Sequence, residues 1–250
     1  QPGLCGSEEN FSAFAIGLPM PGIIYEIDEV QVVPPFFFPV GTSIVDVIAQ
    51  NESGKVNCSF VVQVSDNQPP MLPADGSATV HCIHSAIAPS APQAIDNCDG
   101  VLDGVLMGVS SIPDPVLCQG IKIYSYLYND QAGNSSLWNF TYTILSLTGP
   151  TLKDPDADCT SLNQSNLNIG LMEAGQFDPT GLEPMVVALY QDNCGGTVDA
   201  ILTSIVPGDD NTDEAWVFQY IYTISDLCEN THECNVEYSG GITSQVPEFL

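Results

Sequence analysis

The sequence predicts an all-β chain of tandem sandwich domains, and two observations carry that expectation. The first is a repeat. Asp96-Asn97-Cys98-Asp99-Gly100 returns as Asp192-Asn193-Cys194-Gly195-Gly196, and the same shift re-aligns Tyr124, Tyr126 and Asp130 with Tyr220, Tyr222 and Asp226. Cys98 to Cys194 and Asp130 to Asp226 are both 96 positions apart (194 − 98 and 226 − 130). Self-similarity at a fixed period marks an array of structural units, and this period is close to the ~100 residues of one immunoglobulin-like β-sandwich. The second observation is that strand signals dominate and no stretch carries a sustained helical period with caps.

Taken in chain order, Ile44-Val45-Asp46-Val47-Ile48 and Phe60-Val61-Val62-Gln63-Val64 are β-branched runs. Ile121 to Tyr128 and Phe218 to Ile224 combine aromatic with β-branched residues. Such side chains favour the pleated, half-buried surface of a sheet. Turn residues bound the runs, as in Asn51-Glu52-Ser53-Gly54 and Asp130-Gln131-Ala132-Gly133-Asn134, and reverse the chain. Tyr124 and Tyr126, like Tyr220 and Tyr222, alternate as one sheet face does and read as packing residues. The one helix-like stretch, Asn168 to Glu173, is too short to change the class.

Composition narrows the function classes. The chain has 3 Lys+Arg against 31 Asp+Glu, a formal net charge of −28 at pH 7, which repels nucleic acid and anionic membrane surfaces. Hydrophobic residues make up 44% of the chain, enough for packed cores, so the acidity belongs to a solvated surface and not to disorder. No run of about 18 apolar residues offers a membrane span, and Gln1 reads as the first residue of a processed secreted chain. Nine cysteines at repeat-related positions fit an oxidising, extracellular compartment. Sequons at Asn10, Asn51, Asn57, Asn134, Asn139 and Asn163 are glycosylation candidates in keeping with that location.

Several phrases resemble a known family. Phe38-Pro39-Val40-Gly41-Thr42-Ser43-Ile44-Val45, Asn51 to Lys55, Cys58 to Val64 and Asp66-Asn67-Gln68-Pro69-Pro70 resemble the second half of a HYR (hyalin repeat) domain. The middle unit is similar to HYR-like repeats of bacterial surface proteins at His81-Cys82, Ala94 to Asp99, Cys118-Gln119-Gly120 and Tyr124 to Asn134. The last unit matches at Asp192-Asn193-Cys194 and Asp226 to Asn230, and departs from the pattern between Cys159 and Tyr190. The resemblance implies immunoglobulin-like sandwiches used in extracellular adhesion and scaffolding, with no catalytic residues. The units it delimits are residues 1–67, 68–149 and 150–240, with a tail at 241–250.

Cys5-Gly6 followed by Phe11 to Pro19 lines up with Cys194-Gly195 followed by Val198 to Pro207, so the first unit begins mid-repeat. A sandwich without its early strands presents an open edge to another chain. The N-terminal sandwich is thus expected to be incomplete and completed by strand donation, with Val246, Pro247, Glu248, Phe249 and Leu250 as donor and the region of Phe11, Phe14 and Ile16 as acceptor. Contacts between unlike ends propagate as filaments unless they close a ring, which predicts a homopolymeric head-to-tail fibril. The alternative is a non-polymerising adhesion or carbohydrate-binding module of a longer array, with Trp138 or Trp216 stacking on glycans.

Sandwich topology favours bridges within each unit: Cys5–Cys58, Cys82–Cys118, Cys194–Cys228 and Cys159–Cys234. Cys98 is then a free or intermolecular thiol, because Ala132 stands where its partner cysteine is expected. Asp154, Asp156 and Asp158 alternate carboxylates at an inter-repeat junction and are the candidate calcium ligands. No other cofactor is expected. His81, His84 and His232 are not accompanied by any nucleophile motif, so no enzyme is expected.

Overall fold

The computed structural model describes residues 3–176 and 181–242. They form an all-β chain in which sheets carry the cores. In the first repeat the strands are β1 (Gly6–Glu9), β2 (Gly22–Ile27), β3 (Val30–Val32), β4 (Phe36–Pro39), β5 (Gly41–Asn51) and β6 (Gly54–Val64). They make a four-stranded sheet ordered β3-β2-β5-β6 and a separate β1-β4 pair. β5 and β6 pair antiparallel from Gly41↔Val64 to Asn51↔Gly54, closed by the predicted turn. Val45 and Val47 point inward from β5 while Ile44 and Asp46 point out, the period-2 alternation of a half-buried strand.

The middle repeat contains β7 (Gly76–Val80), β8 (Ala94–Asp96), β9 (Gly100–Leu102), β10 (Val105–Ile112), β11 (Gln119–Asn129) and β12 (Ser135–Leu145). Its main sheet is ordered β10-β11-β12-β7, beside a small β8-β9 hairpin. Tyr124, Tyr126 and Tyr128 are buried from alternate positions of β11. Two of these phenols donate to backbone carbonyls, Tyr126 to Pro89 at 2.6 Å and Tyr128 to Pro92 at 2.5 Å, so burying a phenol leaves its hydroxyl paired.

The last repeat carries β13 (Thr151–Leu152), β14 (Gln164–Leu167), α1 (Leu171–Gly175), α2 (Glu183–Leu189), β15 (Tyr190–Gln191), β16 (Val198–Pro207), β17 (Trp216–Asp226) and β18 (Thr231–Gly240). The sheet is ordered β14-β18-β17-β16, with β14 running parallel to β18. Every second residue of β17 from Trp216 to Asp226 is buried. Ala174 of α1 and Val186 of α2 join that core. Two helices therefore supply part of the second layer in the stretch where the family resemblance lapses.

The chain divides into two compact units, one of residues 1–76, 89–109 and 124–140, the other of 77–88, 110–123 and 141–250. Core positions of the first repeat are covered from within the chain. Phe38 and Val45 have 0% exposure, because Phe11 inserts its ring against Tyr25 and Phe60 at centroid distances of 5.0 and 5.7 Å. Residues 11–17 carry no strand, in contrast to β16 with which the sequence aligns them.

Candidate functional site

The repeated motif builds a repeated junction. Asp96 Oδ1 accepts the N–H groups of Cys98 and Asp99 at 2.8 and 2.9 Å, and Asp192 Oδ1 accepts that of Cys194 at 2.8 Å. These Asx turns hold the following cysteine on a tight loop. The intervening asparagine then reads a carbonyl of an earlier segment. Asn97 Nδ2 donates to Leu4 O at 3.1 Å, and Asn193 Nδ2 to Gly149 O at 2.9 Å.

The Asp-to-Asn hairpin turns work the same way. Asp130 accepts from Asn134 through both the backbone N–H and the side-chain amide, each at 2.7 Å. Asp226 accepts from Asn230 at 3.0 Å through both. Each asparagine also donates to the end of the preceding repeat, Asn134 to Asp66 O at 3.3 Å and Asn230 to Ser146 O at 3.1 Å. Burial raises the Asp130 carboxyl, but the hydrogen bonds from Asn134, Gly133 and Ala132 outweigh it and hold the group below its ordinary value.

Disulfides lock these junctions. Cys5 is joined to Cys98, Cys82 to Cys194, Cys118 to Cys228 and Cys159 to Cys234. The expected Cys5–Cys58, Cys82–Cys118 and Cys194–Cys228 pairs are therefore corrected, and the free thiol is Cys58, exposed on β6, not Cys98. Three of the bridges join loops that meet where one repeat follows another, whereas pairing within a unit requires each sandwich to close on itself. The sequence did hold a signal: Cys98, Cys118, Cys194 and Cys228 all flank turn motifs at strand ends, and none sits at an inward position of a long strand. The first junction lies wholly within one compact unit and the second wholly within the other.

Asp154 and Asp158 spend a carboxylate oxygen on the N–H of Asp156 and Thr160, at 3.0 and 2.9 Å. Among the described residues, the acidic group whose ligand atoms converge is Asp66, Asp96 and Cys98, not Asp154, Asp156 and Asp158. Trp138 and Trp216 are buried and donate their indole N–H to Ala74 O and Ile169 O at 3.0 and 2.8 Å, so they provide no stacking platform for glycans. Phe14 and Ile16 are 83% and 85% exposed. Val246, Pro247, Glu248, Phe249 and Leu250 lie outside the described residues.

Of the sequons, Asn10, Asn57 and Asn163 are exposed. Asn139 is partly buried, and the side-chain nitrogens of Asn51 and Asn134 are committed to backbone carbonyls. His81 Nδ1 faces Leu145 O at 3.3 Å, the His232 ring lies 5.2 Å from that of Tyr190, and His84 sits in a single 3-10 turn, Ile83–Ser85. Burial pushes the phenols of Tyr128, Tyr190, Tyr220 and Tyr238 up, which keeps them neutral and un-nucleophilic.

Comparison with known proteins agrees with the residue-level resemblance. Residues 70–144 match the family described as "HYR-like domain with 4 cysteines"; this chain has Cys82, Cys98 and Cys118 within that span. Hyalin of Strongylocentrotus purpuratus is 24% identical over 205 residues, 77% of this chain and 17% of hyalin's length. Protocadherin gamma B2 extracellular cadherin domains 3–6 overlay at a TM-score of 0.30 with 8% identity, covering 81% of this chain and 60% of that one. The titin I-band fragment I67–I69 overlays at 0.28 with 10% identity, covering 90% and 88%. Overlays this loose add nothing on mechanism. With the Asp-Asn-Cys loop, the Asp-to-Asn turn and the aromatic strand between them all inside the matched span, the chain carries an HYR-type domain at residues 70–144.

Proposed function

We propose that the chain is a non-enzymatic structural module of an extracellular, adhesion-type repeat protein, and that copies join head to tail by strand addition. The observation that supports joining is the edge of β6. This strand is 11 residues long and ends its sheet, so along one side its N–H and C=O groups lack a strand partner among the described residues. Beside it runs a groove of about 730 Å³, lined by Leu4, Phe11, Val40, Phe60, Val62 and Val64 among others. An added strand gains affinity from main-chain hydrogen bonds and specificity from side chains seated in such a groove. Four disulfides and the family match support the extracellular setting. No described helix is long and apolar enough to cross a membrane.

The test is negative-stain microscopy of the full chain, of a chain lacking residues 245–250, and of Val61→Lys, which charges an exposed position of β6. Strand addition predicts filaments from the first and short or absent filaments from the other two, with circular dichroism unchanged. Normal filaments from both variants would remove strand addition from the reading. Discrete particles from the full chain would favour a non-polymerising surface module.

A further inference from the structure

The first junction contains acceptors without donors. Asp66 and Asp96 each place a carboxylate oxygen within 4.8 Å of the other's and of Cys98 Sγ. Asp96 is only 4% exposed. In both acids Oδ1 is used, by the N–H of Gln68 and by those of Cys98 and Asp99. Their Oδ2 atoms, and Oδ1 of the adjacent Asn97, are buried with no hydrogen-bond partner. The Asn97 amide nitrogen is occupied by Leu4 O, which leaves its oxygen as the unused end. Buried acceptors with no donor are unfavourable, and two carboxylates this close repel unless a proton or a cation lies between them.

From this geometry we infer that Asp66, Asp96 and Asn97 form a site for one calcium-sized divalent cation. Two oxygens that each lie about 2.4 Å from a shared ion are at most about 4.8 Å apart, and the carboxylate oxygens of Asp66 and Asp96 lie within that limit. The donor set is hard oxygen. Cys98 is oxidised with Cys5 and offers no thiolate, so a soft metal such as zinc is disfavoured.

The second junction supplies an internal comparison. There Asn230 contacts Ser146 in the way that Asn134 contacts Asp66, so a neutral serine stands where the first junction has an acid. Both oxygens of Asp192 are satisfied, by the N–H groups of Cys194 and Gly196 at 2.8 Å each. The second junction also carries the Cys118–Cys228 bridge, while the first has Ala132 at the position matching Cys228. One junction is closed by a second disulfide, the other by a cation. The site belongs to the single chain and does not depend on strand addition.

The experiment is calorimetric titration of the full chain with calcium chloride, together with melting curves in calcium and in chelator. Wild type is expected to bind one ion and to melt higher in calcium. Asp96→Asn keeps the Oδ1 acceptor that holds the loop but removes the charge, and should weaken binding by at least about tenfold. Asp66→Ser reproduces the second junction and should abolish the calcium response with the Cys5–Cys98 bridge intact by peptide mapping; it decides the matter if Asp96→Asn misfolds. The proposal is overturned if wild type shows no binding heat and identical melting in both conditions, which is the result a shared proton gives. It is equally overturned if binding survives both substitutions, which would move the ion elsewhere on the acidic surface.

Discussion

Removing the Cys118–Cys228 bridge by the double replacement Cys118→Ser and Cys228→Ser tests whether the second junction is held by constraint of the unfolded chain. The bridge closes 110 residues of sequence, but Cys159–Cys234 already shortens that path. With the other bridges intact, the segments 118–159 and 228–234 define the loop released, roughly 50 residues, for which chain entropy gives about 4 kcal/mol. The two hydroxyls replace sulfurs at turn positions, so little packing is lost. For a unit of this size each kcal/mol moves the midpoint by about 3 °C, which puts the expected fall at about 12 °C. Scanning calorimetry under non-reducing conditions reads it, and the unit containing residues 3–76 should melt unchanged. A fall below about 3 °C, or peptide maps that pair Cys118 with Cys82 in the parent chain, would refute the assignment.

Other outcomes follow from single residues. Gly149→Ala places a methyl 2.6 Å from the Thr231 carbonyl oxygen, a backbone atom that cannot turn away, and should cost about 1–3 kcal/mol in a urea melt. Cys58 is exposed and unpaired, so a maleimide should label the native, unreduced chain once; zero or several equivalents would contradict the connectivity. Because hydrogen bonds hold the Asp130 carboxyl below its ordinary 3.8, its contribution is complete above that value and is lost as the pH falls through the lower folded-state value. Acid melts should show this loss, and Asp130→Asn should make it shallower.

The sheets were legible because their signals are local. Alternation in Trp216 to Asp226 and in Ile121 to Tyr128 survives as alternating burial in β17 and β11, and the turns at Asn51 and Asp130 close the hairpins they promise. The stretch from Cys159 to Tyr190 was not legible. Two short helices there are held by contacts with the sheet, as Val186 at 0% exposure shows, and a few turns of helix have little intrinsic signal of their own. The junction was half legible. Asp-Asn-Cys was visible as a repeat, but which cysteine it meets depends on how consecutive repeats abut, and no local pattern encodes that. Phe11 packs against Tyr25 and Phe60 of its own repeat, and a single ring inserted from a segment without strand structure has no periodicity to betray it.

The bridges also decide what a cut in the backbone can do. Cys5–Cys98 overlaps Cys82–Cys194 in sequence, and the remaining two carry the overlap on to Cys234. Every peptide bond from Cys5 to Cys234 is therefore spanned by at least one disulfide. A protease that nicks any one loop in that range releases no fragment: the pieces stay one molecule on a non-reducing gel and separate only after reduction. For a protein in a protease-rich medium, survival then depends on the number of cuts per molecule and not on whether one has occurred.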